Sequence, residues 1–401
     1  MTLSVDPPDD AASVAGSELA ECSELMLAFA ERTGLSSDRT ARRYLWTDAF
    51  AVCNFVALWK RTGEDRYLRV ALDLVDRVHR VLGRHREDDP RRGWLSGLGD
   101  REAALHPTRG GLRIGKPLPE RAPDAPFDER LEWDRDGQYF HYLTKWMHAL
   151  DQTARAMRDA RFNGWARELA DVAHRSFCRG SGAERRLVWK MSIDLSRPLV
   201  PSMGQHDPVD GLVTCLQLGA TAASLPGAPR EPRLDHALAD FASLTRRQPL
   251  ATADPLGLGG LLMDAARVAQ LEAQGGRGAG DLLEALLDAA LAGLAHFARR
   301  NELGRPPSQR LAFRELGLAI GLASLGPIER ALEAAGRGER DAVRERLAGL
   351  ASHAKLGAEV TAFWRDPAHR RDRAWAEHRD IDEVMLATSL LPVGAVALTP
   401  V

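Results

Sequence analysis

The sequence predicts an all-α protein in which six helical hairpins close into an (α/α)6 toroid. Three observations carry that reading. Apolar residues recur at helical spacing along most of the chain; the helices so defined alternate between amphipathic and apolar on every side; and the connections alternate between short and long. An amphipathic helix can lie on a surface, whereas one that is apolar all round has to be covered on all sides. Six helices of the second kind, each preceded by one of the first, suit a ring inside a ring. The repeat averages roughly 65 residues, longer than in thin solenoids, and its loops are strongly unequal.

Taken in order, residues 1–14 are polar and Pro-containing and read as a loose tail ahead of a single barrel domain over 15–401. A helical period starts at Ser17 (Leu19, Cys22, Leu25, Met26, Phe29) and stops at Thr33-Gly34. Ser36-Ser37-Asp38 caps a second helix over about 38–60, which holds Trp46, Asp48 and Phe50 and is apolar almost all round. Thr62-Gly63-Glu64-Asp65 is a tight turn into an amphipathic helix with Leu68, Leu72, Val75, His79 and Leu82 on one face. Residues 84–135 lose the period. A loop of that length in a compact domain is functional or disordered, and Trp94 and Trp133 favour order. Helices resume near 137–158, 161–178, 208–224, 233–247, 256–274, 281–300, 309–325, 338–355 and 375–392, twelve in all. Between them Leu187–Asp194 alternates like a short β-hairpin arm.

Connections leaving an all-apolar helix are mostly short (61–64, 159–160, 275–280), while those leading into one are often long (84–136, 179–207, 356–374). With parallel inner helices the long loops gather on one face, where a rigid scaffold places a deep, loop-rimmed pocket. Composition narrows the partners. A charge of −2 gives no reason to expect nucleic acid or an anionic membrane, and apolar and charged shares of 44% and 27% are those of a soluble globular chain. The N-terminus has no basic and apolar leader, and no apolar run is long enough to span a bilayer. Cys22, Cys53, Cys178 and Cys215 are widely spaced in apolar helical settings and read as buried, reduced thiols of a cytoplasmic protein. The sequence leaves the oligomeric state open.

The segment from Trp46-Thr47-Asp48 to Leu58-Trp-Lys-Arg-Thr-Gly-Glu-Asp-Arg-Tyr-Leu68 is similar to a Thr-Gly-Asp-x-x-Tyr-Leu turn frequent in the six-hairpin glycosidase superfamily. That group includes unsaturated glucuronyl hydrolases and, on a related barrel, the N-acylglucosamine 2-epimerases. Asp136-Gly-Gln-Tyr-Phe-His-Tyr-Leu-Thr-Lys-Trp146 resembles in layout the inner helix that opens with the catalytic aspartate of the glucuronyl hydrolases. The resemblance implies a carbohydrate-active enzyme on an (α/α)6 barrel, with Asp136 as its acid.

The residues themselves point to the starts of the inner helices. Glu132, Asp134 and Asp136 crowd one start, and His206, Asp207 and Asp210 another. Asp207-Pro208 and Asp254-Pro255 are also ordinary helix openings, with Asp as cap and Pro in the first turn. Glycoside cleavage needs two facing carboxylates, one protonating the leaving oxygen and one activating water or attacking. Asp136 with Asp207 or Asp210 is the expected pair. Asp48 and Glu315, inside apolar helices, are either floor residues of the pocket or buried ion-pair members. Trp133, Trp94 and Trp189 are expected to stack on a sugar. Gln138, His141, Lys145 and His148 step by three or four and form one polar stripe, of which the first three are expected on the pocket wall. His141, His206 and His378 support a second reading, a sugar epimerase or isomerase, because imidazole suits proton transfer next to a carbonyl. A third reading is a non-catalytic binding barrel. Metal-ligand spacing is weak, His206-x-x-x-Asp210 offering at most two ligands, and no cofactor motif is present.

Overall fold

The computed structural model describes residues 9–37, 39, 42–275, 281–300, 302–335 and 341–400, with side chains from 16 onward. Six inner helices form a closed ring: Leu45–Thr62, Phe140–Met157, Asp207–Ser224, Pro255–Ala273, Ala312–Leu322 and Arg379–Leu390, each touching the next and the last touching the first. Outer helices lie against them: Asp65–Leu82, Ala160–Phe177, Asp235–Thr245, Leu282–Arg299 and Ala354–Arg365 each pack on the inner helix before them. Asp9–Arg32 packs on the last inner helix and completes the outer ring. The fold is the all-α toroid the sequence predicts.

The physical cause is the predicted one. The first inner helix is buried from Leu45 through Leu58, whereas the outer helix Asp65–Leu82 buries only a stripe of Tyr67, Ala71, Leu74, Val75, Val78 and Leu82 with His79. Gly63, at φ 72, closes the first inner helix with its N–H on the Trp59 carbonyl, and the tight turn follows. Where the fourth and fifth inner helices meet, a Cβ on Gly259 would lie 2.0 Å from the Gly317 oxygen, so only glycine allows that contact.

Some boundaries differ from expectation. The first helix starts at Asp9, not Ser17, and residues 1–8 of the expected tail lie outside the described residues. The outer helix expected at 338–355 is two pieces. Asp341–Ala351 packs on the outer helix Leu282–Arg299, and the ring position belongs to Ala354–Arg365. An additional helix, Leu325–Ala334, covers the fourth inner helix. The predicted hairpin arm pairs in two directions: Arg186–Leu187 with Cys178–Arg179, and Lys190–Met191 with both Gln138–Tyr139 and Pro198–Val200. Loop 84–135 is ordered, with Trp94, Leu112 and Ile114 buried.

Residues 393–400 lie across the end of the ring opposite the long loops. Gln152 donates to the carbonyls of Gly394 and Ala397, Gln270 donates to that of Val396, and Arg155 donates to that of Thr399. No described helix is long and apolar enough to cross a membrane. The four thiols are free. Cys22, Cys53 and Cys215 are buried and Cys178 is partly exposed, and burial pushes each up to about 12.

Candidate active site

A cavity of about 740 Å³ opens at the inner-helix N-termini. The start of the first inner helix supplies Trp46 and Thr47, with Tyr44 just before it, and the second supplies His141 and Tyr142, with Tyr139 from the strand that leads into it. Leu256, Phe313 with Arg314, and residues 376–381 come from the fourth, fifth and sixth. The long loops add Lys116, Trp133 and Trp189. The face chosen by the loop-length argument is thus the face that carries the cavity.

One wall is aromatic. The Trp189 ring lies parallel to Tyr139 (5.0 Å, 7°) and to His141 (6.1 Å, 9°), and Trp133 meets it edge-on at 5.3 Å. Trp133 is half exposed and presents the open face of this wall. Strand pairing sets the stack: Gln138–Tyr139 lies against Lys190–Met191, which brings Tyr139 beside Trp189. Gly137, with φ 154, permits that approach, since a Cβ there would lie 2.7 Å from the Met191 oxygen.

His141 has a defined tautomer. The Trp189 indole N–H donates to its Nδ1 at 3.2 Å. Burial, with Lys145 adding and Asp210 opposing, pushes the imidazole down to about 3. It is therefore neutral at physiological pH. A neutral ring that accepts at Nδ1 carries its proton at Nε2. Next to it Tyr44 and Tyr142 share a hydroxyl–hydroxyl hydrogen bond of 2.5 Å. Burial pushes Tyr44 up to about 12 and Tyr142 well above the usual phenol value, so both stay protonated. One hydroxyl proton of the pair remains to donate. His378, at the start of the last inner helix, stands exposed on the cavity wall with Phe313 edge-on at 5.7 Å.

Of the residues expected at a site, Trp133, Trp189, His141 and His378 share this cavity. The others are placed elsewhere, each for a physical reason. Asp136 is fully buried. It is held by Arg113 at 2.5 Å and Arg86 at 3.3 Å, and it accepts from the N–H groups of Gly115 and Gly137 at 3.0 Å each. Its expected place as the acid on the cavity is corrected: it ties loop 84–118 to the second inner helix. Asp210 accepts from Thr144 at 2.5 Å, Lys145 at 2.9 Å and Arg267 at 3.0 Å. Burial alone would raise it, but Lys145 and Arg267 together hold it well below the usual carboxylate range. Asp207 is buried off the cavity beside Gly204. Burial, with the Asp210 charge alongside, pushes it up to about 7, and its Oδ2 has no hydrogen-bond partner among the described residues.

His206 is likewise away from the lining, its Nε2 on the Leu250 carbonyl at 2.7 Å. Asp48 pairs with Arg43 at 3.3 Å and accepts from the Tyr44 N–H, one layer behind the floor. Glu315 is gripped by Arg310 at 2.6 Å and by the Trp364 indole at 2.8 Å, so both it and Asp48 take the ion-pair alternative. Trp94 packs under Arg84 and donates to Asp100, outside the cavity. Gln138 is fully buried in a strand, bonded to Leu112, Gly110 and Ile193. The polar stripe therefore divides by depth: His141 on the cavity, Lys145 one turn below on Asp210, and His148 further down on Gln217 at 3.0 Å. Among the described residues no group of three or more ligating side chains could hold a metal.

Sequence reasoning missed Tyr44, Tyr142, Tyr139, Lys116 and Arg314. Tyr139 and Tyr142 flank His141 at spacings that straddle a strand and a helix, so no single period picks them out. Tyr44 sits one residue before its helix, the position that His206 holds in the third inner helix, where a titratable side chain draws notice and a phenol does not.

No family model matches the chain, and no curated protein matches it. Among solved structures it is similar to the cellobiose 2-epimerase from Spirochaeta thermophila DSM 6192, with a TM-score of 0.43 and 12% identity over 79% of this chain and 87% of that one.

Proposed function

We propose that the cavity moves a proton at a carbon next to the carbonyl of an open-chain sugar, as a sugar isomerase or epimerase. The observation that carries this is the pairing of His141 and His378 in one aromatic-walled cavity while the expected carboxylate pair is held elsewhere. The aromatic wall suits the apolar face of a sugar. A neutral imidazole bearing its proton at Nε2 donates a hydrogen bond to a carbonyl oxygen and stabilises the charge that develops there on enolisation. A ring pushed down to about 3 is a poor base, so the abstracting group is the exposed His378. The spare Tyr44–Tyr142 hydroxyl proton holds a substrate hydroxyl.

These roles are asymmetric: one base and one hydrogen-bond donor. One base can take the proton from the hydroxyl-bearing carbon next to the carbonyl, giving an enediolate, and return it on the same face to the former carbonyl carbon, while the neighbouring hydroxyl loses its proton and the former carbonyl oxygen gains one. Aldose–ketose isomerisation is then the simpler outcome, whereas epimerisation by a single base also requires the intermediate to turn over in the cavity. Hydrolysis finds less support, because the carboxylates on the cavity are already engaged. Asp380 pairs with Arg32 at 2.6 Å, and Glu377 with Arg373 at 2.7 Å.

The test is incubation with a panel of reducing sugars in deuterated water. Deuterium bound to sugar carbon without glycosidic cleavage is expected, falling roughly 10²–10⁴-fold in His378→Asn and in His141→Asn. Cleaved glycoside with no carbon-bound deuterium would select hydrolysis instead.

A further inference from the structure

The chain carries a net charge of −2, yet the cavity is basic: Arg32, Arg42, Lys116, Arg314 and Arg379 face only Glu377 and Asp380. Five positive less two negative charges leave an excess of three at the lining. Carboxylates just behind it cancel part of this. Arg314 pairs with Asp254 at 2.6 Å, and Arg32 and Arg379 share Glu383 at 2.7 Å each. With Asp254 and Glu383 counted, and with Arg373 set against its partner Glu377, two positive charges remain.

Of the lining cations, Arg32, Arg42, Arg314 and Arg379 each have a carboxylate partner, and Lys116 has none among the described residues. Among the described residues its ammonium makes no ion pair and no hydrogen bond; its one contact is the face of Tyr44, 5.3 Å from the ring centroid. The side chain is partly buried, and burial takes its pKa below the usual amine value, with Asp134 and Asp136 opposing. Asp136 is already held by Arg113 and Arg86. An ammonium drawn partly out of water without a partner is costly, and an anion entering the cavity removes the cost. Lys116 also stands beside the Tyr44–Tyr142 pair, and Tyr142 meets His141 edge-on at 4.6 Å. A ligand anion on Lys116 is therefore held across the tyrosines from the imidazole.

We propose that Lys116 is an anion subsite and that the substrate is an acidic sugar, bearing an oxyanion (carboxylate or phosphate) at the end remote from its carbonyl. The remote placement rests on the isomerase or epimerase reading; the anion preference does not.

Calorimetric titration of the full chain with glucuronate, glucose 6-phosphate and glucose tests it. At least one of the two anions is expected to bind ten-fold or more tightly than glucose, with the margin shrinking as salt rises from 50 to 500 mM; which anion wins distinguishes carboxylate from phosphate. Lys116→Met is expected to cut the preference to about two-fold or less, and Lys116→Arg to keep most of it, which separates loss of charge from misfolding. Equal binding of all three sugars, binding of none, or an unchanged preference in Lys116→Met would overturn the subsite. A preference for the anion with no deuterium on carbon would overturn the proton-transfer reading and leave the subsite standing.

Discussion

Two sets of polar side chains occupy the same face of the ring and differ in one respect. Asp136, Asp210, Glu315 and Asp48 each have an arginine or lysine within 3.3 Å, and each accepts a further hydrogen bond besides. His141, His378, Lys116 and the Tyr44–Tyr142 pair keep bonding capacity that faces an open space. Their residue types give no warning of the difference, since the carboxylates are the better catalytic candidates on paper. Satisfied valence marks the part that holds the ring together, and unsatisfied valence beside a cavity marks the part available for chemistry.

The strongest way to break this comparison is to exchange the consequences of the two sets. Asp136→Ala leaves Arg113 buried without its carboxylate and is expected to cost about 3–5 kcal/mol in denaturant unfolding. His378→Asn, on an exposed side chain, is expected to stay within roughly 0.5 kcal/mol of wild type while losing activity. Equal destabilisation by both would erase the distinction.

Asp207 belongs to neither set, and a pH series sharpens where it falls. In the unfolded chain its carboxyl titrates near the ordinary 3.8, whereas in the fold burial raises it to about 7. The folded state thus holds a proton that the unfolded state has released, so this contribution is full below about pH 4 and is lost as pH rises toward 7. Asp207→Asn is expected to gain stability over wild type between pH 4 and pH 8, by on the order of 1–4 kcal/mol at about 1.4 kcal/mol per unit. Asp48 and Asp382, raised to about 6 and about 8 by burial, slope the same way in both proteins and drop out of the difference. Parallel stability curves for the two would show that Asp207 is already ionised and paired. The smallest expected effect is at the rim. Trp133→Ala should weaken sugar binding by about 1 kcal/mol, a factor of roughly five, with unfolding unchanged; a larger loss of stability than of binding would place that ring in the core set.

The ring was legible because burial on all sides and burial on one side leave different apolar patterns, and the loop-length alternation showed which face to inspect. The outer position on the fifth inner helix was less so. Asp341–Ala351 and Ala354–Arg365 are both short and amphipathic, and only contact with an inner helix tells which one closes the ring. Of the cavity lining, Trp133 and Trp189 could be read from the long loops and His141 and His378 from their positions near helix starts. The fate of Asp136 could not, because its partners Arg86 and Arg113 lie 50 and 23 residues upstream in a loop without periodicity. A carboxylate at a helix start looks the same in sequence whether or not a distant arginine reaches it.

Residues 393–400 are held by Gln152 and Arg155 of the second inner helix and Gln270 of the fourth, through hydrogen bonds to backbone carbonyls. The cavity lies at the opposite ends of the inner helices. The segment therefore works as a strap: what it offers those three side chains is backbone, and its loosening is expected to be felt in unfolding before it is felt at the cavity.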